Sequence, residues 1–210
     1  MSTHILAVEP LQPVEQYTKE AIRPMAEDEV LFYRFLGGED EAFLTLFRRH
    51  NRRIFTYCLK IVGGREQAED ITQETWERII ALRTQSYTVR NPIGFLLRVA
   101  RNLCLDHLKT RKRHIALDNL SESAHPLHVH GEQSALEELV FSALERLPFK
   151  YREVLILHTY CGYQFEEIAD MLGKSPDAIW ARASRARLQL RTTVAEEYKR
   201  EQQRVQREHL

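Results

Sequence analysis

Apolar residues recur at three and four positions along most of this chain and almost nowhere at two, which is the spacing of one helix face rather than of a strand. Only eight Gly and seven Pro interrupt 210 residues, so the periodic stretches are long. The reading is all-α. A first block opens near Glu27 with Val30, Leu31 and Phe35 and continues through Phe43, Leu46, Phe47, Ile54, Phe55, Cys58, Leu59 and Val62. Gly37-Gly38 divides it into a short and a long helix, and Gly63-Gly64 closes the long one, because glycine accepts the left-handed conformation that ends helices. A third helix is expected from about Arg65 to Leu82, with Ala68, Ile71, Thr75, Trp76, Ile79 and Ile80 facing inward. A fourth comes after Asn91-Pro92 and runs to about Arg113, proline suiting its first turn.

From His114 to Gln133 the periodicity fades among Asp118, Asn119, Ser121, Ser123, Pro126 and Gly131, and this stretch is read as a flexible linker. Helical spacing returns over about Ser134–Arg146, Phe149–Tyr160, Gln164–Leu172 and Pro176 onward past Arg191. The expected organisation is two small helical domains, residues 27–113 and 134–191, joined by linker 114–133. An extension, 1–26, precedes them, and a charge-balanced tail, 192–210, suits a continuation of the last helix. Purely aliphatic runs do not exceed four residues, as at Val154–Leu157, far short of the roughly 20 that span a bilayer. The first ten residues carry neither a basic start nor an apolar stretch of secretory length. No membrane insertion and a cytoplasmic location are therefore expected. Cys58, Cys104 and Cys161 are odd in number and never form a C-x-x-C pair, so they are expected to be reduced and to fill core.

The 30 Lys+Arg and 30 Asp+Glu cancel, which excludes a protein that is basic throughout, but the charges are segregated. Arg65–Arg78 holds five carboxylates against two arginines, an acidic face. Arg98–His114 holds six cations (Arg98, Arg101, Lys109, Arg111, Lys112 and Arg113) against Asp106 alone, an electrostatic footprint for phosphates. Trp180–Arg191 holds Arg182, Arg185, Arg187 and Arg191 with no acid. One basic helix in each block favours two contacts on one nucleic acid. The second lies in helix-turn-helix grammar: an amphipathic helix from Phe165 to Leu172, the turn Gly173-Lys174-Ser175, then the helix from Pro176. Gly173 suits a left-handed turn position and Ser175 can cap the next helix. In such a motif the second helix enters the major groove, which makes Trp180, Ala181, Arg182, Arg185 and Arg187 the candidate contacts to duplex DNA. For Trp180 the competing reading is packing within its own domain.

Four signatures in order now resemble one family: Ala68-Glu69-Asp70-Ile71-Thr72-Gln73-Glu74; Phe95-Leu96-Leu97-Arg98-Val99-Ala100-Arg101-Asn102 with Asp106; Leu144-Glu145-Arg146-Leu147-Pro148; and the helix-turn-helix. Together they resemble bacterial sigma-70-type sigma factors of the extracytoplasmic-function (ECF) group, over about Glu27–Arg191. The resemblance implies a non-catalytic subunit that binds core RNA polymerase, at the β′ clamp helices and the β subunit, and that recognises and helps melt promoters. It assigns Asp70, Gln73 and Glu74 to core binding. It assigns Asn102, with Arg98, Arg101, Lys109, Arg111, Lys112 and Arg113, to the minus-10 DNA, Asn102 lying near a base flipped from the non-template strand. The helix-turn-helix residues go to the minus-35 element. The loop Arg83–Asn91, with Tyr87 and Arg90, lies where the family melts strands, and an anti-sigma factor is a further candidate partner. Phe95 stands where the family commonly has tryptophan, Trp76 where phenylalanine is usual and is read as core, and Trp180-Ala181 where a basic residue and serine are frequent.

The alternative is a helix-turn-helix regulator that acts without core polymerase. An enzyme is not expected, since no phosphate-binding loop or nucleophile motif is present. No metal and no cofactor are expected either: His114, His125, His128 and His130 cluster in the linker without a cysteine or a rigid fourth ligand.

Overall fold

A computed structural model of the chain describes residues 27–84, 89, 91–118 and 135–208, and among these there are helices and no strand. The order is α1 (Glu27–Leu36), α2 (Asp40–Val62), α3 (Arg65–Ala81), a short 3-10 turn (Leu82–Thr84), α4 (Pro92–Asp118), α5 (Ala135–Arg146), α6 (Phe149–Leu155), α7 (Phe165–Leu172) and α8 (Pro176–Glu208). Gly63 takes φ 83° and its N–H closes on the Leu59 carbonyl, which ends α2 where the glycine pair places the stop. Asn91 caps α4, its Oδ1 accepting the Gly94 N–H at 2.7 Å.

In the first block α1, α2, α3 and α4 converge on Phe32, Phe35, Leu46, Ile54, Tyr57, Ile79 and Leu96, all almost fully buried. Trp76 is core, as its spacing predicts, and its indole N–H donates to Asn51 Oδ1 at 2.9 Å. Ile80 is a correction: it is 46% exposed rather than inward. It comes directly after buried Ile79 on a helix whose buried stripe already runs through Ala68, Ile71, Thr72, Thr75, Trp76 and Ile79. At about 100° per residue Ile80 projects past the Trp76 edge of that stripe, whereas Ile79 falls within it. All three cysteines are buried and free.

One boundary moves and one helix changes type. α4 extends to Asp118, beyond the expected end at Arg113 and into the expected linker, whose remainder lies outside the described residues, as do Tyr87, Arg90 and the extension 1–26. The expected helix over Phe149–Tyr160 is α6 continued by a wider π turn, Ile156–Tyr160, in which the Cys161 N–H reaches Ile156 O at 3.1 Å. At the other end α8 runs through the tail to Glu208. Glu197 on that extension is buried, pairs with Arg146 Nη1 at 2.8 Å and accepts the Ser142 hydroxyl at 3.4 Å, so the tail is fastened to α5.

The blocks do not keep separate cores. A small cluster of Leu144, Leu147, Tyr151, Leu155 and Ala186 belongs to the second block alone. The main cluster passes from first-block residues such as Tyr57, Cys58 and Cys104 into Val154, Ile156, Leu157, Cys161, Ile168 and Ile179. α7 packs on α4, and the π turn packs on α2.

Candidate functional site

Three surfaces carry the residues singled out by sequence. On α3, Asp70, Gln73 and Glu74 are all exposed. Gln73 donates its amide to Glu77 Oε1 at 2.8 Å, and Glu74 holds Arg78 at 2.7 Å, one turn apart. Asp70 has no ion-pair partner among the described residues. Beside this acidic row runs an open groove of about 540 Å³, lined by Phe43, Phe47 and Phe55 of α2 and by Trp76 and Ile80 of α3, with Glu69, Gln73 and Glu77 on its rim. The Phe43 and Phe47 rings meet the Trp76 indole at centroid distances of 5.8 and 5.1 Å. The groove escaped the sequence reading because each ring was counted toward the core by its spacing. The one available signal was the excess of aromatic residues on α2 over what a single core face needs.

On α4, Arg98 is exposed, whereas Arg101 and Asn102 are partly covered. Lys109 spends part of its charge on Asp106, 3.0 Å away, and Arg113 is exposed. Lys112 lies on the same helix. In the second block the turn is built as its sequence predicts. Gly173 adopts φ 60°, ψ 47°, and Ser175 Oγ accepts the Ala178 N–H at 3.3 Å to cap α8. A reciprocal capping box, in which the Gln164 N–H donates to Glu167 Oε2 at 2.7 Å, starts α7. Along α8, Ala181, Arg185 and Arg187 are exposed, and the Arg187 guanidinium lies over the Phe165 ring at 5.5 Å. Trp180 divides between its two readings: one face packs on Phe165, 4.4 Å between centroids, and 49% of the residue stays exposed.

The two basic surfaces meet. Arg98, Arg101 and Asn102 of α4 line one cavity of about 460 Å³ with Lys150 and Glu153 of α6, Met171 and Leu172 of α7, Lys174 of the turn and Arg182 of α8. Glu153 is only 2% exposed, accepting from Arg101 Nε at 2.7 Å and from the Tyr57 hydroxyl at 3.0 Å. Burial pushes its carboxyl above the ordinary carboxylate value, and the guanidinium of Arg101 and the phenol of Tyr57 pull it back. The sequence reading passed over Glu153 and Tyr57, since a Glu directly after Arg152 carries no periodic signal of burial. No helix of the described residues is long and apolar enough to cross a membrane, and no group of His, Cys, Asp or Glu among them is placed to hold a metal. His125, His128 and His130 lie outside the described residues.

Two family models match the chain, Sigma-70 region 2 over residues 46–114 and Sigma-70 region 4 over residues 137–190. The chain is 30% identical to RNA polymerase sigma factor CarQ of Myxococcus xanthus over 165 residues, which are 78% of this chain and 95% of that protein. It is 31% identical to ECF RNA polymerase sigma factor SigE of Mycolicibacterium smegmatis over 71% of this chain, while spanning only 60% of that longer protein. Its fold is similar to CnrH, solved in complex with the cytosolic domain of CnrY, at a TM-score of 0.60 and 22% identity over 80% of this chain and 97% of that one. It is also similar to the sigma factor RpoE of Bartonella quintana, solved with the anti-sigma factor NepR, at a TM-score of 0.55 and 22% identity over 73% of this chain and 96% of that one.

Proposed function

The chain belongs to the ECF group of sigma-70-type RNA polymerase sigma factors, and we propose that its two family regions divide the work between α3 and α4 on one side and the helix-turn-helix on the other. A sigma factor is a transcription-initiation subunit rather than an enzyme, which displaces the alternative of a regulator acting without core polymerase. In this reading the face of α3 with Asp70, Gln73 and Glu74 takes core polymerase, at the β′ clamp helices, and the neighbouring groove takes an apolar side chain of the same partner.

The observation that supports this docking face is the combination on one surface of an open groove, floored by buried Trp76, half-buried phenylalanines and exposed Ile80, with an acidic and amide rim. Interfaces concentrate their binding energy where apolar anchors enter such pockets and charges ring the edge. On α4 the amide of Asn102 both donates and accepts, as reading the Watson–Crick edge of an extruded base requires, and Arg98, Arg101, Lys109, Arg111, Lys112 and Arg113 take phosphates. On α8, Arg182 and Arg185 take minus-35 bases or phosphates, with Trp180, Ala181 and Arg187 beside them.

Reconstitution with core polymerase tests the assignment. The chain should direct run-off transcription from a promoter of its own genome, and Asp70→Lys should lose core binding while keeping native helicity, because like charges then face each other at a cost of about several kcal/mol. Unchanged core affinity in Asp70→Lys would remove α3 from the docking surface.

A further inference from the structure

Helix α8 buries Ile179, Ala183 and Ala186 completely, and on a helix that fixes which residues point the other way. Trp180, Ala181, Ser184 and Arg185 fall on the open face, all exposed. Two further cations of the helix are turned aside: Arg182 lines the cavity shared with α4, and Arg187 lies over the Phe165 ring at 5.5 Å. The second turn of the open face therefore carries an indole and a methyl and no charge, in the part of a recognition helix that meets base edges. We infer that Trp180, with Ala181 beside it, is a specificity-determining contact of α8, and that it selects a thymine through the C5-methyl and O4 of its major-groove edge. The inference deepens the assignment of α8 to an upstream duplex and rests on it.

Trp180 is held in place before any DNA arrives. Its indole packs on the Phe165 ring at 4.4 Å between centroids, with the planes 52° apart, and Phe165 is stacked in turn on His158 at 4.2 Å. His158 is fixed by its Nδ1–H, which donates to the Tyr163 carbonyl at 2.9 Å. Phe165 is buried in the first turn of α7, whose capping box pins that end. An indole anchored in this way loses little rotamer freedom on entering a groove. The stack covers only part of it, since 49% of the residue stays in water.

The chemistry of the exposed part decides the base. Thymine alone presents an apolar group in the major groove, and the O4 beside that methyl only accepts. An indole offers apolar ring carbons and one N–H that only donates, so the two edges match. Cytosine presents a donor that an indole cannot accept, and guanine presents acceptors with no apolar group. Arg185, further along the same face, is left to take a guanine or a phosphate.

The test uses holoenzyme reconstituted from the full-length chain and core polymerase. Promoter duplexes randomised upstream of a fixed minus-10 region are first selected for binding. Each selected thymine is then replaced in turn by deoxyuridine, which keeps the pairing and O4 and removes only the methyl, and affinity is read by fluorescence anisotropy. At one selected thymine the exchange should weaken binding about fourfold, the worth of one methyl taken out of water. In Trp180→Ala the same exchange should change affinity by less than about 1.5-fold, whereas Trp180→Phe, which keeps a ring against Phe165, should retain the sensitivity. The wild-type measurement needs no variant, so it decides the matter even if Trp180→Ala loses its fold. A selected element without thymine, or wild-type binding indifferent to the methyl at every thymine, overturns the choice of base. Equal sensitivity in Trp180→Ala overturns the role of Trp180. Selection that yields no upstream preference at all overturns α8 as the upstream reader, and this inference falls with it.

Discussion

Asn102 is the residue on which strand reading turns, and its surroundings explain why a small change there is informative. It sits on α4 between the partly covered Arg101 and the buried Leu103, so truncation to alanine removes an amide without opening the core. Asn102→Ala should leave core binding and upstream duplex binding intact and lower open-complex formation by about 1–3 kcal/mol, roughly five- to 150-fold. Permanganate footprinting of unpaired thymines reads this directly, and a template already mismatched at minus-10 should restore the mutant only in part. Asp28 makes a second residue-level case. It joins α1 to α2 through Arg49 at 2.6 Å and His50 at 3.1 Å, and its hydrogen bond to His50 is the leading cause holding its carboxyl below the ordinary 3.8. A carboxylate with a lowered native pKa contributes stability above its unfolded value and loses that contribution as pH falls through the native one. Acid unfolding monitored by circular dichroism should therefore show a weaker pH dependence below about pH 4 in Asp28→Asn, with lower stability at neutral pH.

Helix existence was legible because the punctuation is chemical: Gly63, Gly173, Pro92 and Pro176 end or begin elements where backbone conformation allows little else. Helix faces were less legible. α3 carries apolar residues beyond its buried stripe, and spacing alone assigned Ile80 inward with the rest, although it floors the groove beside Trp76. That surplus is the trace a docking surface leaves in a sequence, and it becomes readable only when the partner helix shows which stripe is already used. Ile80→Glu should thus change folding stability by no more than about 0.5 kcal/mol, since the side chain is half in water. It should still weaken core binding by about 1–3 kcal/mol through a charge placed on the apolar floor. Thermal melts and a competition assay for core polymerase separate the two effects. On α8, Arg185→Ala should cost about 1–3 kcal/mol on the preferred upstream sequence alone if the guanidinium meets a base, and an equal amount on every sequence if it meets a phosphate.

At the scale of the whole molecule, two helical blocks were written in the sequence as two runs of periodicity, but their common core was not. Val154, Ile156, Leu157 and Cys161 read as the inside of a small domain, and nothing in a one-dimensional pattern distinguishes burial against one's own helices from burial against another block. Glu153 marks the difference, since its partners lie 52 and 96 residues away. If the two blocks engage separate promoter elements, as proposed above, the segment between them limits how far they can separate. Residues 119–134 connect the end of α4 at Asp118 to the start of α5 at Ala135, and sixteen residues span about 55 Å at full extension. Two weak contacts on one promoter become a strong one only if that tether lets both form, and effective concentration drops toward zero once the tether falls short of the gap. Deleting six residues within 119–134 should leave affinity for an isolated minus-10 strand unchanged or higher, and affinity for an isolated minus-35 duplex unchanged. Run-off transcription from a promoter bearing both elements should fall at least about tenfold. A promoter with a shortened spacer should recover part of that loss, because the tether then reaches. Full activity of the deletion variant at the native spacing would mean that polymerase, rather than residues 119–134, sets the distance between the blocks.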